Sequence, residues 1–214
     1  MSGSNVMRWA GLSAVVAGVL LAVTQMIHPE RDPSSVTTSS WAITHSLEVG
    51  MAVFTLLGIS GLYARQVEKA GLLGLVGFLM WFVALAVFAN LAFFEAFILP
   101  LLATEAPQFI AGFLAIFTGG SLGALLPILV LSGLLYSVGV LLFGIATLRA
   151  GILPRWAAIV LIIGVVLGLL AILLGEVVGR IGSVALGLGL AWLGYALWSE
   201  QREKASEPSP AVQS

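Results

Sequence analysis

A histidine and a glutamate lie one helical turn apart in the stretch ITHSLEVG, residues 43–50, inside a run that is otherwise apolar. If this run is a helix, His45 and Glu48 lie on one stripe with Ala52 and Thr55, because residues three, four or seven positions apart share a face. Imidazole and carboxylate groups together can bind a cation, exchange a proton or close a hydrogen-bonded clasp. The stretch therefore predicts an inward-facing polar site.

Three more polar residues extend this predicted site. Glu95 lies near the end of another apolar run, five residues before Pro100, and Gln25 and His28 lie three positions apart at the end of the first run. Ionisable residues in apolar helices usually face a partner or a water-filled cavity, because an unpaired charge in hydrocarbon is costly. The candidate residues for binding a ligand or ion are Gln25, His28, His45, Glu48 and Glu95.

The elements that must position these residues are apolar helices. Hydrophobic residues make up 60% of the 214 residues and charged residues only 9%, against about 25% charged in soluble domains. The mean hydropathy is +1.11, and several charge-free runs reach the roughly 20 residues that cross a bilayer. The composition predicts an all-α, multi-pass membrane protein whose helices form a bundle in the lipid bilayer.

Six transmembrane spans account for the apolar runs. They are predicted at about residues 9–27, 41–63, 71–99, 122–148, 156–175 and 179–198. The charge-free stretch 106–148 is too long for one span, and the turn signal TGGS at 118–121 separates from it an extra half-helix at about 107–118. Residues 1–200 thus form one transmembrane domain, followed by a polar tail, 201–214, that is predicted to be disordered.

The distribution of lysine and arginine predicts the orientation of the bundle. With the N-terminus inside, seven of the nine basic residues fall in inner segments, and only Arg31 and Arg180 fall in outer ones. Both termini are therefore predicted to be cytoplasmic, and the half-helix lies on the outer side. His45 and Glu48 then lie about 6–11 Å into the membrane from its outer face, at 1.5 Å per residue.

Four interpretations of the polar residues remain open. The first is an interhelical clasp, in which a glutamate bonds to a histidine, and the second is a vestibule that binds or moves a cation, a proton or a small polar molecule. The third is a metal or haem site. Two histidines with carboxylates suit zinc, and the two histidines alone fit axial haem ligation. The metal ligands would be His28, His45, Glu48 and Glu95.

The fourth interpretation is an intramembrane hydrolase that pairs His45 with a serine such as Ser46 or Ser121. The sequence contains no H-E-x-x-H motif, and its one G-x-S-x-G match is the stretch GGSLG at residues 119–123, around Ser121. It contains no cysteine, which excludes thiolate chemistry, and no lysine within a predicted span, which excludes a retinal Schiff base. Basic residues are too few and too dispersed for nucleic acid to be a partner.

The sixth predicted span is unusually rich in glycine. Its glycines are Gly179, Gly182, Gly187, Gly189 and Gly194. Small residues let helix backbones approach closely in lipid, so this span is predicted to pack tightly within the chain. Contact with further subunits, in an oligomer or a larger complex, is the alternative use of such faces.

Two segments carry a resemblance to known sequences. The pieces HP, WAITH and GLYAR within residues 28–65, and RAGILPRW at 149–156, resemble elements that recur in uncharacterised bacterial multi-span membrane proteins. The resemblance implies a location in the bacterial cytoplasmic membrane. It implies no activity and no catalytic residue.

The function predicted from these observations is non-enzymatic. We expect a membrane protein that binds or transports a small molecule or cation at the His/Glu site near its outer face. No cofactor is predicted beyond the metal ion or haem of the third interpretation. The alternatives are an intramembrane metal-dependent enzyme and a structural subunit of a larger membrane complex.

Overall fold

The protein is a bundle of long helices. The computed structural model describes residues 3–116, 120 and 123–206. The helices are α1 (Gly3–Ile27), α2 (Ser39–Phe93), α3 (Leu99–Glu105), α4 (Pro107–Ala115), α5 (Leu125–Ala150), α6 (Arg155–Leu174) and α7 (Glu176–Ser206). A π-helical turn, Phe94–Ile98, joins α2 to α3. Among the described residues, five helical stretches are long and apolar enough to cross a membrane: α1, residues 39–103, α5, α6 and most of α7.

Helix α2 folds back on itself at Gly71, and this changes the predicted spans. Gly71 has φ 58° and ψ −161°, a conformation open to glycine and strained for other residues. The rings of Tyr63 and Phe78 stack at 4.7 Å across the kink, so the two legs of α2, residues 39–70 and 72–93, run antiparallel. The predicted spans 41–63 and 71–99 are therefore the legs of one kinked helix, and the loop expected between them is helical up to Ala70.

Glycine residues determine how closely the two legs of α2 and the helices α1, α5, α6 and α7 pack against one another. A methyl group built on Gly18 of α1 would overlap the carbonyl oxygen of Gly187 in α7, and one built on Gly77 would lie 2.5 Å from the backbone nitrogen of Phe143 in α5. Gly182, Gly187, Gly189 and Gly194 of α7 all meet the backbone of α1 or α6. The predicted tight packing of this glycine-rich helix within the chain is confirmed.

The core lies between the legs of α2 and the helices α1, α5, α6 and α7. Its largest fully buried side chains include Ile59, Leu62, Trp81, Phe143, Leu161 and Leu190. At one end of the bundle the chain turns at Gly71 and at 151–154, and Arg65 pairs with Glu200 at 2.7 Å. At the other end, which we call the histidine end, lie His28, the start of α2 and the π-helical turn.

The short helices α3 and α4 cover the histidine end. The predicted half-helix at 107–118 is present as α4, whose described part ends at Ala115 with one further turn residue, Ile116. Ile110, Phe113 and Leu114 of α4 are buried in a cluster that includes Trp41. Most of the predicted turn 118–121 lies outside the described residues.

Two helices end later in the sequence than their predicted spans. The helix that follows Pro107–Ala115 begins at Leu125 and ends at Ala150, where Gly151 adopts φ 63° and stops it. Helix α7 continues to Ser206, so helix replaces the first six residues of the predicted disordered tail. The remainder of that tail, 207–214, lies outside the described residues.

Candidate functional site

Four of the five predicted site residues converge at the histidine end. His28 directly follows α1, His45 and Glu48 lie in the first turns of α2, and Glu95 lies in the π-helical turn. We call these four residues the His/Glu cluster. His45, Glu48 and Glu95 are almost completely buried, as are Ala52 and Thr55 on the same stripe. The prediction that this stripe faces inward is therefore confirmed.

Backbone carbonyl groups orient both imidazole rings. The Nδ1 atom of His28 lies 2.8 Å from the carbonyl oxygen of Pro29, and Nδ1 of His45 lies 2.8 Å from the carbonyl oxygen of Trp41. A carbonyl oxygen can only accept a hydrogen bond, so each Nδ1 carries the proton and donates it. Each Nε2 then holds a lone pair, and Nε2 of His45 is buried without a hydrogen-bond partner.

The two carboxylates face these lone pairs. Oε1 of Glu48 lies 3.9 Å from Nε2 of His28, and Oε2 of Glu95 lies 3.7 Å from Nε2 of His45. Both distances exceed the reach of a hydrogen bond. Each glutamate lies at ion-pair distance from a histidine without a hydrogen bond to it, so the predicted clasp stays a prediction. In this arrangement the lone pair of each Nε2 faces a carboxylate oxygen, so two hydrogen-bond acceptors oppose each other. Such a contact is favourable only when a proton or a cation lies between the two atoms.

Three of the four residues have the geometry of a potential metal site. One ligand atom from each of His28, His45 and Glu48 lies within 4.8 Å of the other two. Tetrahedral zinc with bonds of about 2.0–2.2 Å holds its ligand atoms roughly 3.3–3.6 Å apart, so binding would draw these atoms closer together. Each histidine already donates its other ring N–H to a carbonyl group, as metal-bound histidines usually do. Imidazole and carboxylate on one side suit zinc better than haem iron, which takes two axial ligands.

Trp41 and Arg31 complete the surroundings of the cluster. The indole of Trp41 stacks on His45 at 4.2 Å, and its Nε1 donates to the carbonyl oxygen of Glu95 at 2.8 Å. Nη1 of Arg31 donates to Oε1 of Glu95 at 2.5 Å. π-Helical turns are frequent at functional sites, and here the turn brings Glu95 within reach of Arg31.

Sequence reasoning missed these two residues as parts of the site. The sequence predictions place Arg31 only in an outer segment and give Trp41 no part in the site, but Trp41 is fully buried. The sequence contains a signal that could have identified each of these two residues as part of the site. Trp41 lies four residues before His45, on the same helical face, and Arg31 is one of only two basic residues on the side predicted to be outer.

The loop between α1 and α2 is ordered by Asp32. The hydroxyl groups of Ser34 and Ser35 donate to its carboxylate at 2.5 and 2.7 Å. These bonds, joined by the backbone N–H groups of both serines, lower the pKa of Asp32 to about 2. In the same loop, burial and then the Arg31 guanidinium lower the pKa of His28 below its ordinary 6.5. His28 is therefore neutral at neutral pH, the form that offers a lone pair to a metal.

Two cavities adjoin the cluster. The polar cavity, of about 690 Å³, is lined by His28 and Glu48 together with Glu176 and Arg180. The apolar cavity, of about 410 Å³, extends along Trp81 and Leu85 between α2, α5 and α7. Gln25, the fifth predicted site residue, lies on the wall of both cavities and is not part of the potential metal site.

The predicted hydrolase pairing is not present in the described residues. Nε2 of His45 has no hydrogen-bond partner, so Ser46 does not donate to it. Ser121 lies outside the described residues.

Comparison with known proteins assigns no function. No known protein family, curated protein or solved structure matches this chain. The functional interpretation therefore depends on the chemistry of the site itself.

Proposed function

We propose that this chain is an integral membrane protein that binds a divalent transition-metal cation, with zinc as the best-matched ion, through His28, His45 and Glu48. The observation that carries the proposal is the buried Nε2 of His45, which has no hydrogen-bond partner and lies among other acceptors. A buried polar atom without a partner is costly. A bound cation removes that cost by accepting the lone pairs.

The donor set favours zinc and similar ions over calcium or magnesium. Two neutral imidazoles suit transition metals, whereas calcium and magnesium prefer oxygen ligands. Three protein ligands leave at least one coordination position for water or an external ligand. His28 and Glu48 both line the polar cavity, so an external ligand would reach the ion from there.

The experiment is a metal titration of the purified protein. After removal of metal by a chelator, the wild type is expected to bind one equivalent of zinc. His45→Ala and Glu48→Gln should bind at least about 100-fold more weakly, because each loses a direct ligand, a larger change than the 10–100-fold of outer-shell changes. Bound Co²⁺ gives a visible spectrum that reports its coordination number and should appear in the wild type but in neither of these two variants.

Glu176→Gln is the matched control for this titration. Glu176 lines the same polar cavity but pairs with Arg180 at 2.6 Å instead of facing the histidines. Its replacement should leave zinc affinity unchanged. Equal affinity of the wild type and a folded His45→Ala protein, or no saturable binding to the wild type, would refute the proposal.

We further propose that the bundle crosses the bacterial cytoplasmic membrane with the histidine end outside and both termini in the cytoplasm. The excess of basic residues at the opposite end supports this orientation. The chain contains no cysteine, so single cysteines can report it directly. In intact cells, a membrane-impermeant thiol reagent should label Thr37→Cys at once and Lys69→Cys only after permeabilisation. The reverse pattern would invert the orientation.

A further inference from the structure

The polar and apolar cavities share part of their walls. Gln25, Arg31, Phe88 and Ser183 line both of them. The apolar cavity therefore adjoins the polar cavity beside the His/Glu cluster and continues toward the middle of the bundle. A ligand that occupied both would have one end at the cluster and the other among apolar side chains.

The apolar cavity has the size and lining of a site for a hydrocarbon chain. Its volume of about 410 Å³ falls within the roughly 300–1,000 Å³ of small-molecule sites. Leucine, methionine and aromatic side chains of four helices form most of its wall, among them Met51, Trp81 and Leu186. The hydroxyl groups of Thr55, Ser132 and Ser137 in this wall already donate to backbone carbonyl oxygens, so the lining matches an acyl chain.

The shared wall carries positive charge suited to an anionic head group. The Arg31 guanidinium lines both cavities and is 30% exposed. With the divalent cation of the proposed function bound, that ion and Arg31 face the carboxylates of Glu48 and Glu95. Glu30, Glu176 and Arg180 also line the polar cavity, so the four positive charges and four carboxylates balance, and a carboxylate head would enter as a further ligand of the ion and of Arg31. Arginine and a metal ion both bind carboxylates well.

We propose that the two cavities together bind a single-chain amphiphile with a carboxylate head, a long-chain fatty acid. Its chain lies in the apolar cavity, and its head lies against Arg31 and the metal ion. The contact with the metal rests on the proposed function. The occupation of the apolar cavity by the chain does not.

The experiment uses a fatty acid with a photoreactive diazirine on its chain. The wild-type protein in phosphatidylcholine nanodiscs is illuminated with this probe, with and without excess unlabelled fatty acid, and the cross-linked peptides are mapped by mass spectrometry. We expect cross-links that the unlabelled acid displaces, on peptides of α2 and α5 that line the apolar cavity. Cross-links from bulk lipid contact would not be displaced.

Two glycine substitutions give a matched pair. Gly133 of α5 lines the apolar cavity, and a Cβ built on it meets no atom within 4 Å. Gly133→Leu should place its side chain at the cavity wall and reduce displaceable cross-linking at least about tenfold. Gly50 of α2 has equally open space and lines neither cavity. Gly50→Leu should cross-link like the wild type, and equal displaceable cross-linking in both variants would overturn the proposal.

The head contact is tested separately. A fatty alcohol of the same length should compete with the probe at least about tenfold more weakly than the fatty acid does. Removal of metal by a chelator should weaken competition by the fatty acid by a similar factor. If Gly133→Leu abolishes cross-linking but chelation changes nothing, chain binding is supported and the metal contact is overturned. If zinc binds as proposed but no cross-link is displaceable, the amphiphile proposal fails alone. If zinc does not bind but displaceable cross-links persist, only the metal proposal fails.

Discussion

Arg31 and Glu95 form a hydrogen-bonded ion pair of 2.5 Å across 64 residues of sequence. Arg31 belongs to the loop after α1, and Glu95 belongs to the π-helical turn after α2. The pair therefore ties together the two segments that carry His28 and Glu95. Because Glu95 is 1% exposed, its ionised carboxylate depends on this partner.

We predict that Arg31→Met destabilises the protein by about 2–3 kcal/mol. Loss of one partner from a fully buried pair costs roughly 3–5 kcal/mol, and the partial exposure of Arg31 lowers that value. Denaturant unfolding in mixed micelles measures the change. The double variant Arg31→Met/Glu95→Gln, which removes both charges of this pair, should recover part of the loss. A double variant less stable than Arg31→Met would contradict this account.

Gly18 is predicted to be essential for the contact between α1 and α7. In Gly18→Ala the new methyl group would overlap the backbone of Gly187, and forcing the helices apart should cost about 1–3 kcal/mol. Gly50→Ala is the control, because its methyl group meets open space. It should be neutral or stabilising by roughly 0.5–1 kcal/mol. Thermal unfolding measures the stability of both variants. Equal stabilities of Gly18→Ala and Gly50→Ala would argue against close packing at Gly18.

Gly71 is predicted to be required for the turn of α2. Its backbone conformation, φ 58° and ψ −161°, is strained for any residue with a Cβ. Gly71→Ala should therefore cost about 1–3 kcal/mol, although the Cβ itself meets no neighbour. Gly168→Ala, at a helical glycine with equally open space, should show no such loss. Denaturant unfolding of the two variants in the same micelles gives the comparison.

The order of the loop that follows α1 should depend on pH through Asp32. Its pKa is lowered from 3.8 to about 2 in the folded protein, so the ionised form contributes stability. That contribution is complete above about pH 4 and is lost as the pH falls toward 2. Hydrogen exchange of the loop 28–38, corrected for the intrinsic pH dependence of exchange, should accelerate over this range. In Asp32→Asn the loop should exchange fast already at neutral pH, and wild-type protection there would count against the role of Asp32.

Periodicity and composition were sufficient to predict the bundle and its inward-facing stripe. Long charge-free runs have few alternatives to helix in an apolar environment, because every backbone N–H and C=O must be bonded within the segment. The spacing of His45, Glu48 and Thr55 on one face follows from 3.6 residues per turn alone. A shared helical face of this kind follows from the sequence and from helix geometry, and its prediction needs no knowledge of the fold.

Tertiary structure decided what these residues meet. The kink at Gly71, predicted only as the start of a separate span, brings Glu95 back beside Trp41 and His45, which lie 54 and 50 residues earlier in the sequence. The sequence by itself determined that His28, His45, Glu48 and Glu95 would lie at the same end of an apolar bundle. Only the fold decided that their acceptor atoms would face one another, because contacts between distant segments depend on how the helices pack and turn.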